Sequence, residues 1–426
     1  MIKMNTKTIS PVIILSISII LLFTGILAIY DIAILARATV AIVTSYMIII
    51  GILSVLTYIF NREKRLIGTL ISGIGDIILA IFIYCKGMFI AISITRLIGM
   101  YAFLNFIARI IAAIILYKNK TKGWISGFIN SFVSLIFGII LVFNPKEYMK
   151  IVPLIAGIYL ILYGLTLFTD FVKEISYADL IKDNLKRRIR ITLPIIYSAF
   201  IPQRILEKIN TFIEANPKEA VFVDSKSNAE GQLEIFIHLA EDVANGFGHV
   251  DICFENKIYS YGTYDSSSDK FFRLISDGVL FEVEREEYIK FSTVDSQRYL
   301  IGFELLLSAT QCDAVRKKIL DIKGNCIEWK CRAEINQNEK YDDYSSELYL
   351  ASGAKFYKFK SGYFKTYYTL TANCVKLADT IVGSAGLDII GANGIITPGT
   401  YFNYLNNLFA RKNTIVIKRN IYTKII

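Results

Sequence analysis

The chain has 426 residues, of which 54% are hydrophobic, and it carries a net charge of +10. Its mean hydropathy of +0.47 is too high for an ordinary soluble protein of this length. The basic residues cluster at the ends of apolar segments and no nucleic-acid-recognition motif accompanies them. The charge therefore favours anionic lipid headgroups as its partner and argues against nucleic acid.

Six apolar stretches occupy the first part of the chain, near residues 11–30, 37–60, 66–85, 89–117, 123–143 and 151–172. Each is long enough to cross a hydrocarbon core of ~30 Å as a helix. The first could instead be a signal peptide, although no small-residue cleavage site follows it. Beyond Lys173, charged residues reach ordinary globular density. We expect a multi-domain protein with an N-terminal segment, a six-helix all-α transmembrane domain, a connector and a soluble domain, at residues 1–10, 11–175, 176–202 and 203–426.

Basic residues crowd the predicted loops on one side of the membrane. That side carries Lys3, Lys7, Arg62, Lys64, Arg65, Lys118, Lys120, Lys122, Lys173, Lys182, Lys186, Arg187, Arg188 and Arg190. The other side carries only Arg37, Lys86, Lys146 and Lys150. By the positive-inside rule, this distribution predicts a multi-pass protein of the cell membrane with both termini and the soluble domain in the cytoplasm. The six cysteines form no disulfide framework or CxxC pattern, which fits a reducing compartment.

Similar short segments recur in the second, fourth and sixth apolar stretches. They lie at residues 46–51, 97–101 and 155–159, about 50 to 60 residues apart, and each contains small residues that would let helices approach closely. Together with the Phe143-Asn144-Pro145 turn, this arrangement resembles the HdeD-like family of six-helix bacterial membrane proteins over residues 11–173. The resemblance implies three tandem helical hairpins.

Asp76 and Arg109 are charged residues at similar predicted depths in the third and fourth spans. An ionised side chain at mid-bilayer costs at least ~2.5 kcal/mol and usually finds a partner. We therefore expect an ion pair between them, which would either fix the register of the two helices or belong to a proton or substrate pathway.

The connector combines a basic run at residues 186–190 with an apolar stretch at residues 193–202. The apolar stretch is too short to span a bilayer. It is either a linker that enters the core of the soluble domain or an interfacial segment whose basic cluster binds the inner leaflet. In both cases the soluble domain is held against the membrane.

The sequence pattern of the soluble half predicts an α+β domain with a mainly antiparallel sheet. Apolar residues at helical spacing predict a helix over residues 203–215. Strand-like runs follow at residues 220–224, 233–239, 249–254, 257–264, 279–283 and 298–306. Further helices are predicted at residues 308–322, from Cys374 onward and after Pro398, and the polar and aromatic segment 324–371 receives no assignment.

His238 and His249 are the only histidines in the chain, which limits the chemistry it can perform. A zinc site with several histidine ligands is excluded, and no CxxC, HExxH, P-loop or dinucleotide-binding motif is present, so we expect no cofactor. Thiol chemistry with one histidine remains. Alternation along the strand that begins at His249 places His249, Asp251 and Cys253 on one face.

Asn373-Cys374 begins a predicted helix in which Asn373 is a good N-cap. Cys374 would lie in the first turn, where the helix dipole and free N–H groups favour a thiolate and could hold an oxyanion. An imidazole nearby in space would complete a nucleophile and general base. The other cysteines of the soluble half lack this context, and we expect them and the mid-strand His238 to be structural.

The order of these motifs, a histidine on an early strand and then Asn-Cys opening a later helix, resembles the circularly permuted NlpC/P60-like papain fold. This group includes lecithin:retinol acyltransferase-like domains, and the resemblance covers residues 230–405. It implies a permuted papain-like domain with Cys374 as nucleophile and His249 as base. The third position, which orients the histidine, falls at Tyr261, although Thr263 or Asp251 could serve instead.

Two functions are consistent with these sequence patterns. The first is a membrane-tethered cysteine hydrolase or acyltransferase that acts on an amide or ester bond. A cytosolic domain does not face the mature cell wall, so a membrane lipid, a lipid-linked precursor or a protein amide fits better than peptidoglycan. The alternative is a non-enzymatic stress- or transport-like membrane protein whose soluble domain binds a ligand or carries a degenerate site.

Overall fold

The structure is a computed structural model that describes the chain except for residues 1–10, 31, 61–66, 149, 176–184, 186, 188, 191–220, 241–246, 296–297, 337–340, 391–396, 412–413 and 424–426. The predicted helix 203–215 and the apolar stretch 193–202 lie outside the described residues. The chain divides into two compact units. One comprises Leu15–Ile111 and Ile125–Phe168, and the other comprises Met1–Ile14, Ala112–Trp124 and Thr169–Ile426.

The described part of the apolar half consists of helices joined by short turns. Its helices are α1 (Pro11–Tyr30), α2 (Ile32–Phe60), α3 (Ile67–Cys85), α4 (Gly87–Lys118), α5 (Trp124–Phe143), the short α6 (Pro145–Tyr148) and α7 (Ile151–Ile175). Among the residues that the structure describes, six candidate spans are long and apolar enough to cross a membrane, the last running from Pro145 to Val172. The prediction of a multi-pass membrane protein is confirmed. The predicted spans agree with the helices to within about five residues at each end, since long apolar runs of this kind satisfy every backbone group as helix.

Glycines of the three recurring segments lie at close helix contacts: Gly51 against Gly73, Gly99 against Gly138, and Gly157 against Gly25. A Cβ added at Gly51 would lie 2.7 Å from the carbonyl oxygen of Gly73, which is closer than a side chain can approach. The small residues therefore permit tight packing, as the sequence predicts. These contacts join α2 to α3, α4 to α5, and α7 to α1, so they run between the expected hairpins.

The expected Asp76–Arg109 ion pair is not formed in the structure, and this prediction was wrong. Arg109 Nε instead donates to Asn105 Oδ1 at 3.2 Å, one turn earlier on α4. A side-chain amide on the same helix thus supplies an acceptor for one guanidinium N–H.

The soluble domain is built on a nine-stranded antiparallel sheet. Its strands are β2 (Val221–Ser225), β3 (Leu233–Ala240), β4 (Phe247–Phe254), β5 (Lys257–Gly262), β7 (Val279–Glu284), β8 (Arg298–Leu305), β9 (Cys326–Trp329), β10 (Lys355–Phe359) and β13 (Val416–Tyr422), in the order β2-β13-β8-β3-β4-β5-β7-β10-β9. Two small pairs accompany it: β1 (Ile189–Arg190) with β12 (Ile389–Ile390), and β6 (Ile275–Asp277) with β11 (Thr366–Tyr368). The six predicted strands are all present.

Helices cover both faces of this sheet. They are α8 (Arg285–Lys290), α9 (Ala309–Gly324), α10 (Arg332–Ile335), α11 (Tyr344–Ser352), α12 (Cys374–Gly383) and α13 (Pro398–Phe409). Residues of α9, α12 and α13 share a core with Val250, Ile252 and Phe254 of β4. Cys253 of the same strand belongs to a second core with residues of α8, α10 and α11. The alternation predicted for β4 therefore holds, and an α+β domain with an antiparallel sheet is confirmed.

Candidate active site

Cys374 is the first residue of α12, the position that the sequence predicts. Asn373 caps this helix: its Oδ1 accepts from the Lys376 backbone N–H at 3.0 Å, and its Nδ2 donates to the Thr369 carbonyl at 2.8 Å. Cys374 lies in the first turn of this helix, and only 4% of the residue is exposed. The local sequence thus fixes the backbone around the thiol.

His249 lies where two neighbouring strands separate. The ladder between β4 and β5 runs only from Phe254–Lys257 to Ile252–Tyr259, although both strands continue beyond it. The ring occupies this region with its Nε2 2.8 Å from Ser260 Oγ and 3.0 Å from Tyr264 Oη, and 15% of its side chain is exposed. The imidazole and the Cys374 thiol are hydrogen-bond partners, so the structure brings the two predicted residues together.

Asp251 is a fully buried carboxylate between the two histidines of the chain. Its Oδ1 lies 2.9 Å from His249 Nε2, and its Oδ2 lies 2.6 Å from His238 Nε2. The Tyr288 hydroxyl also donates to Oδ2, at 2.6 Å. Burial by itself raises the pKa of Asp251, but the two imidazoles outweigh it and hold this pKa well below its usual range. Asp251 is therefore ionised whenever the domain is folded near neutral pH.

The same contacts set the protonation of His249. Burial alone lowers its pKa, but the Asp251 carboxylate and then the Cys374 thiolate outweigh this effect and raise the pKa to about 10. Since Nε2 faces Asp251, Ser260 and Tyr264, it is the nitrogen that holds a proton in the neutral ring. A ring in this position can exchange a proton with the neighbouring Cys374 thiol. This geometry suits a cysteine nucleophile with a histidine base.

Tyr261, the residue that spacing assigns to orient the histidine, does not take that position. Its hydroxyl donates to the carbonyl of Phe364 at 2.9 Å, and its ring packs against those of Phe359 and Tyr367. Side chains alternate along β5, so Ser260 faces His249 while Tyr261 faces the core that contains α12. Asp251, one of the two alternatives, is the carboxylate beside His249.

Tyr367 on β11 is a further neighbour of Cys374. Its hydroxyl is a hydrogen-bond partner of the Cys374 backbone amide and side chain, and 8% of the residue is exposed. Burial, and then the nearby thiolate, raise the pKa of this phenol well above its ordinary value, so the hydroxyl stays protonated. It therefore places a neutral hydroxyl group at the start of α12, beside Cys374.

Sequence reasoning missed several polar members of the site. His238, expected to be structural, is the second partner of Asp251, and Ser260, Tyr264, Tyr288 and Tyr367 complete the cluster. Cross-strand register is the signal that could have found His238, because it stands directly opposite His249 in the β3–β4 ladder. Tyr288 and Tyr367 come from elements that no local pattern relates to β4.

The other buried cysteines are in environments that disfavour the thiolate. Burial raises the pKa of Cys253 to about 12 and that of Cys326 to about 11, and it also raises the pKa of Cys331. Within the described ranges, no group of three or more histidine, cysteine and carboxylate side chains is placed to hold a metal ion. Thiol chemistry at this site therefore centres on Cys374.

The basic run of the connector reaches the helix that carries Cys374. Arg187 forms an ion pair with Asp379 of α12, and its Nε donates to the Leu387 carbonyl at 2.8 Å. The Asp379 side chain is only 2% exposed, so this is a buried contact. Arg187 thus contacts the soluble domain, while Lys186 and Arg188 lie outside the described residues.

Comparison with known proteins gives one match. A family model described as a short repeat of unknown function (DUF308) matches residues 16–85 and 129–180. These segments cover less than a third of the chain and fall in the helical half, where they are consistent with the resemblance to HdeD-like membrane proteins. No curated protein and no solved structure matches the chain.

Proposed function

We propose that this protein is a membrane-anchored cysteine hydrolase or acyltransferase that cleaves an amide or ester bond. The observation that carries the proposal is the contact of Cys374, at the start of α12, with a His249 ring held from behind by the buried Asp251. The nucleophile begins α12, whereas the base and the orienting carboxylate both lie on β4, and this arrangement supports thiol catalysis. The order of these elements also supports the permuted papain-like interpretation of the domain.

The reaction follows from the positions of these groups. His249 already holds the thiol proton as an imidazolium near neutral pH, and the Cys374 sulfur attacks the carbonyl carbon of the substrate. The oxyanion forms beside the N–H groups that begin α12 and the Tyr367 hydroxyl. The intermediate collapses to a thioester as the leaving amine or alcohol receives the proton from His249. Water or an acceptor alcohol or amine, deprotonated by His249, then cleaves the thioester and regenerates the thiol.

The substrate and the location of the site follow from the membrane anchor. The positive-inside distribution supports a cytoplasmic soluble domain and cytoplasmic termini. In that compartment the candidates are a membrane lipid, a lipid-linked precursor or a protein amide. The helical half then acts as the anchor that keeps the thiol close to such a substrate.

The burial of the thiol favours the second candidate function, a non-enzymatic membrane protein whose soluble domain senses a ligand. Cys374 is 4% exposed and the His249 side chain 15%, so a substrate has to displace covering atoms before it reaches the sulfur. A sensor with a degenerate site needs no such access. The two functions differ in whether the domain turns over a carbonyl substrate.

A panel of fluorogenic esters and amides, tested on the full chain in lipid nanodiscs, separates the two functions. For an enzyme we expect turnover of at least one class, lost in Cys374→Ala and in His249→Ala. Cys312→Ala is the matched control, because Cys312 is a partly exposed thiol of the same domain outside the site. Absence of turnover across the panel, or equal turnover in Cys374→Ala, would contradict the enzyme and favour the sensor.

A further inference from the structure

Residues 270–274 form a small loop with an apolar tip. The backbone groups of Lys270 and Ile275 bond each other at 2.8 and 3.2 Å and close its base. Beyond this closure Phe271 is 72% exposed, Phe272 is fully exposed and Leu274 is 45% exposed. Two phenylalanines and a leucine at one tip are more than the scattered apolar residues of an ordinary soluble surface.

The backbone of this loop is held in an unfavourable conformation. Phe271, Phe272 and Arg273 have φ of 49°, 55° and 67°, three consecutive residues in the left-handed region without a glycine. Bulky aromatic residues are strongly disfavoured there. Strain of this kind persists where the surrounding structure imposes it and is concentrated at functional segments. Here it turns both phenyl rings away from the domain and into solvent.

The loop is placed beside the end of a membrane-spanning helix. Its last residue, Leu274, accepts from the Thr369 backbone N–H at 3.1 Å, and the next residue, Ile275, pairs with Tyr368 of β11. At the other end of this short strand, Thr366 shares two hydrogen bonds of 3.2 Å with Asn119, the residue that follows α4. Thr366 and Tyr368 are two residues apart, about 7 Å along a strand.

The surroundings of this helix end have the composition of a membrane interface. The rings of Tyr117 and Trp124 pack edge to face with their centroids 5.1 Å apart. Exposed basic residues surround them and the loop, namely Lys118, Lys120, Lys122, Lys270, Arg273 and Lys365. Aromatic rings and basic side chains are enriched where helices leave the hydrocarbon, because the headgroup region accommodates the rings and its anionic lipids attract the cations.

From this placement we infer that residues 270–274 insert Phe271 and Phe272 into the bilayer, at the boundary between headgroups and acyl chains beside the end of α4. Basic residues around the apolar tip fit an anionic lipid surface. The inserted loop also has a bearing on the candidate site, because β11 carries Tyr367, whose hydroxyl contacts Cys374. Membrane insertion would therefore hold the thiol near the lipid surface, whether or not the domain is catalytic.

Tryptophan fluorescence tests this inference on the full chain. Phe272→Trp is made with the native Trp124 and Trp329 both changed to Phe, and the protein is placed in nanodiscs of phosphatidylcholine and phosphatidylglycerol. We expect a blue-shifted emission that loses more than half its intensity when the lipids carry bromine on their acyl chains. Ile335→Trp in the same background is the matched control, since Ile335 is as exposed as Phe271 (72%) but lies on α10. Its emission should resemble that of tryptophan in water and should not be quenched.

The pattern of quenching at the loop and control positions decides whether the loop inserts into the bilayer. Quenching at position 272 without quenching at position 335 supports insertion, and Phe271→Trp should repeat it. A water-like, unquenched emission at both loop positions would overturn the inference. Equal quenching at positions 272 and 335 would also overturn it, because proximity to lipid would then not be specific to the loop. Neither result depends on enzymatic activity.

Discussion

Replacement of Asp251 by asparagine is the substitution that most directly probes the Asp251–His249–Cys374 arrangement. Asparagine retains the shape of the side chain but removes the charge that lies 2.9 Å from His249 Nε2. Without that charge the imidazolium loses a buried anionic partner, and the protonated form of His249 becomes less favourable. Since a nearby imidazolium stabilises the thiolate, Cys374 should react more slowly with electrophiles near neutral pH.

The size of this effect can be worked from the pKa of His249. A rise from 6.5 to about 10 corresponds to roughly 5 kcal/mol in favour of the imidazolium. Burial opposes this rise, and Asp251 is the larger of the two charges that overcome it, so we assign at least ~2–3 kcal/mol to Asp251. At 1.4 kcal/mol for each factor of ten, we expect Asp251→Asn to slow alkylation of Cys374 by about 30- to 100-fold.

The assay is the rate at which iodoacetamide modifies Cys374, followed by mass spectrometry between about pH 6 and pH 9. Asp265→Asn is the matched control, because Asp265 is also a buried carboxylate bonded to a cation, Lys358, but lies outside the site. It should leave the alkylation rate within about twofold of the wild type. If Asp251→Asn folds and also reacts within twofold of the wild type, the proposed role of Asp251 is refuted.

Three further results are expected. The raised pKa of His249 contributes stability that is complete below about pH 6.5 and is lost as the pH rises towards 10. In thermal unfolding in detergent, the wild type should therefore lose more stability between about pH 6 and pH 9 than Asp251→Asn does. Equal losses in the two proteins would contradict the coupling of His249 to Asp251. Arg285→Ala should destabilise the soluble domain by about 3 kcal/mol, because it leaves the buried Glu234 carboxylate without its cation at 2.7 Å. A loss of stability below about 0.5 kcal/mol would contradict the importance of this ion pair. Gly73→Ala should destabilise the helical half by about 1–3 kcal/mol, since its Cβ would lie 2.8 Å from a backbone oxygen of the neighbouring helix. Gly75→Ala is the control and should be nearly neutral, because its Cβ would meet open space. Equal shifts of the unfolding temperature in the two variants would contradict the close packing at Gly73.

Structural features that depend on a single helix or strand were predictable from the sequence. Apolar runs predicted all six candidate spans because their length and composition alone decide membrane insertion. Asn373 predicted the start of α12 because N-capping is a local interaction of a side chain with the next turn. Alternation along β4 separated the face of Asp251 from that of Val250 for the same reason.

Features that depend on how elements meet were not predictable in the same way. Tyr261 was assigned to the histidine by its spacing along the chain, yet the side of β5 on which a residue lies decides whether it reaches the ring, and Ser260 lies on that side. Tyr367 reaches Cys374 through the pairing of β11 with β6, which no local pattern encodes. The partner of Arg109 depended on an amide of its own helix, Asn105, and not on the depth of Asp76.

The central claim, that Cys374 is a nucleophile activated by His249, is tested most directly by trapping the acyl group. The full chain is incubated with a p-nitrophenyl acyl ester, quenched in acid and digested, and each cysteine peptide is examined by mass spectrometry. We expect one acyl group on the peptide that contains Cys374. Hydroxylamine should remove this group, and it should be absent in His249→Ala. No acylation of that peptide, or acylation at Cys374 and Cys312 to the same extent in both proteins, would contradict the claim.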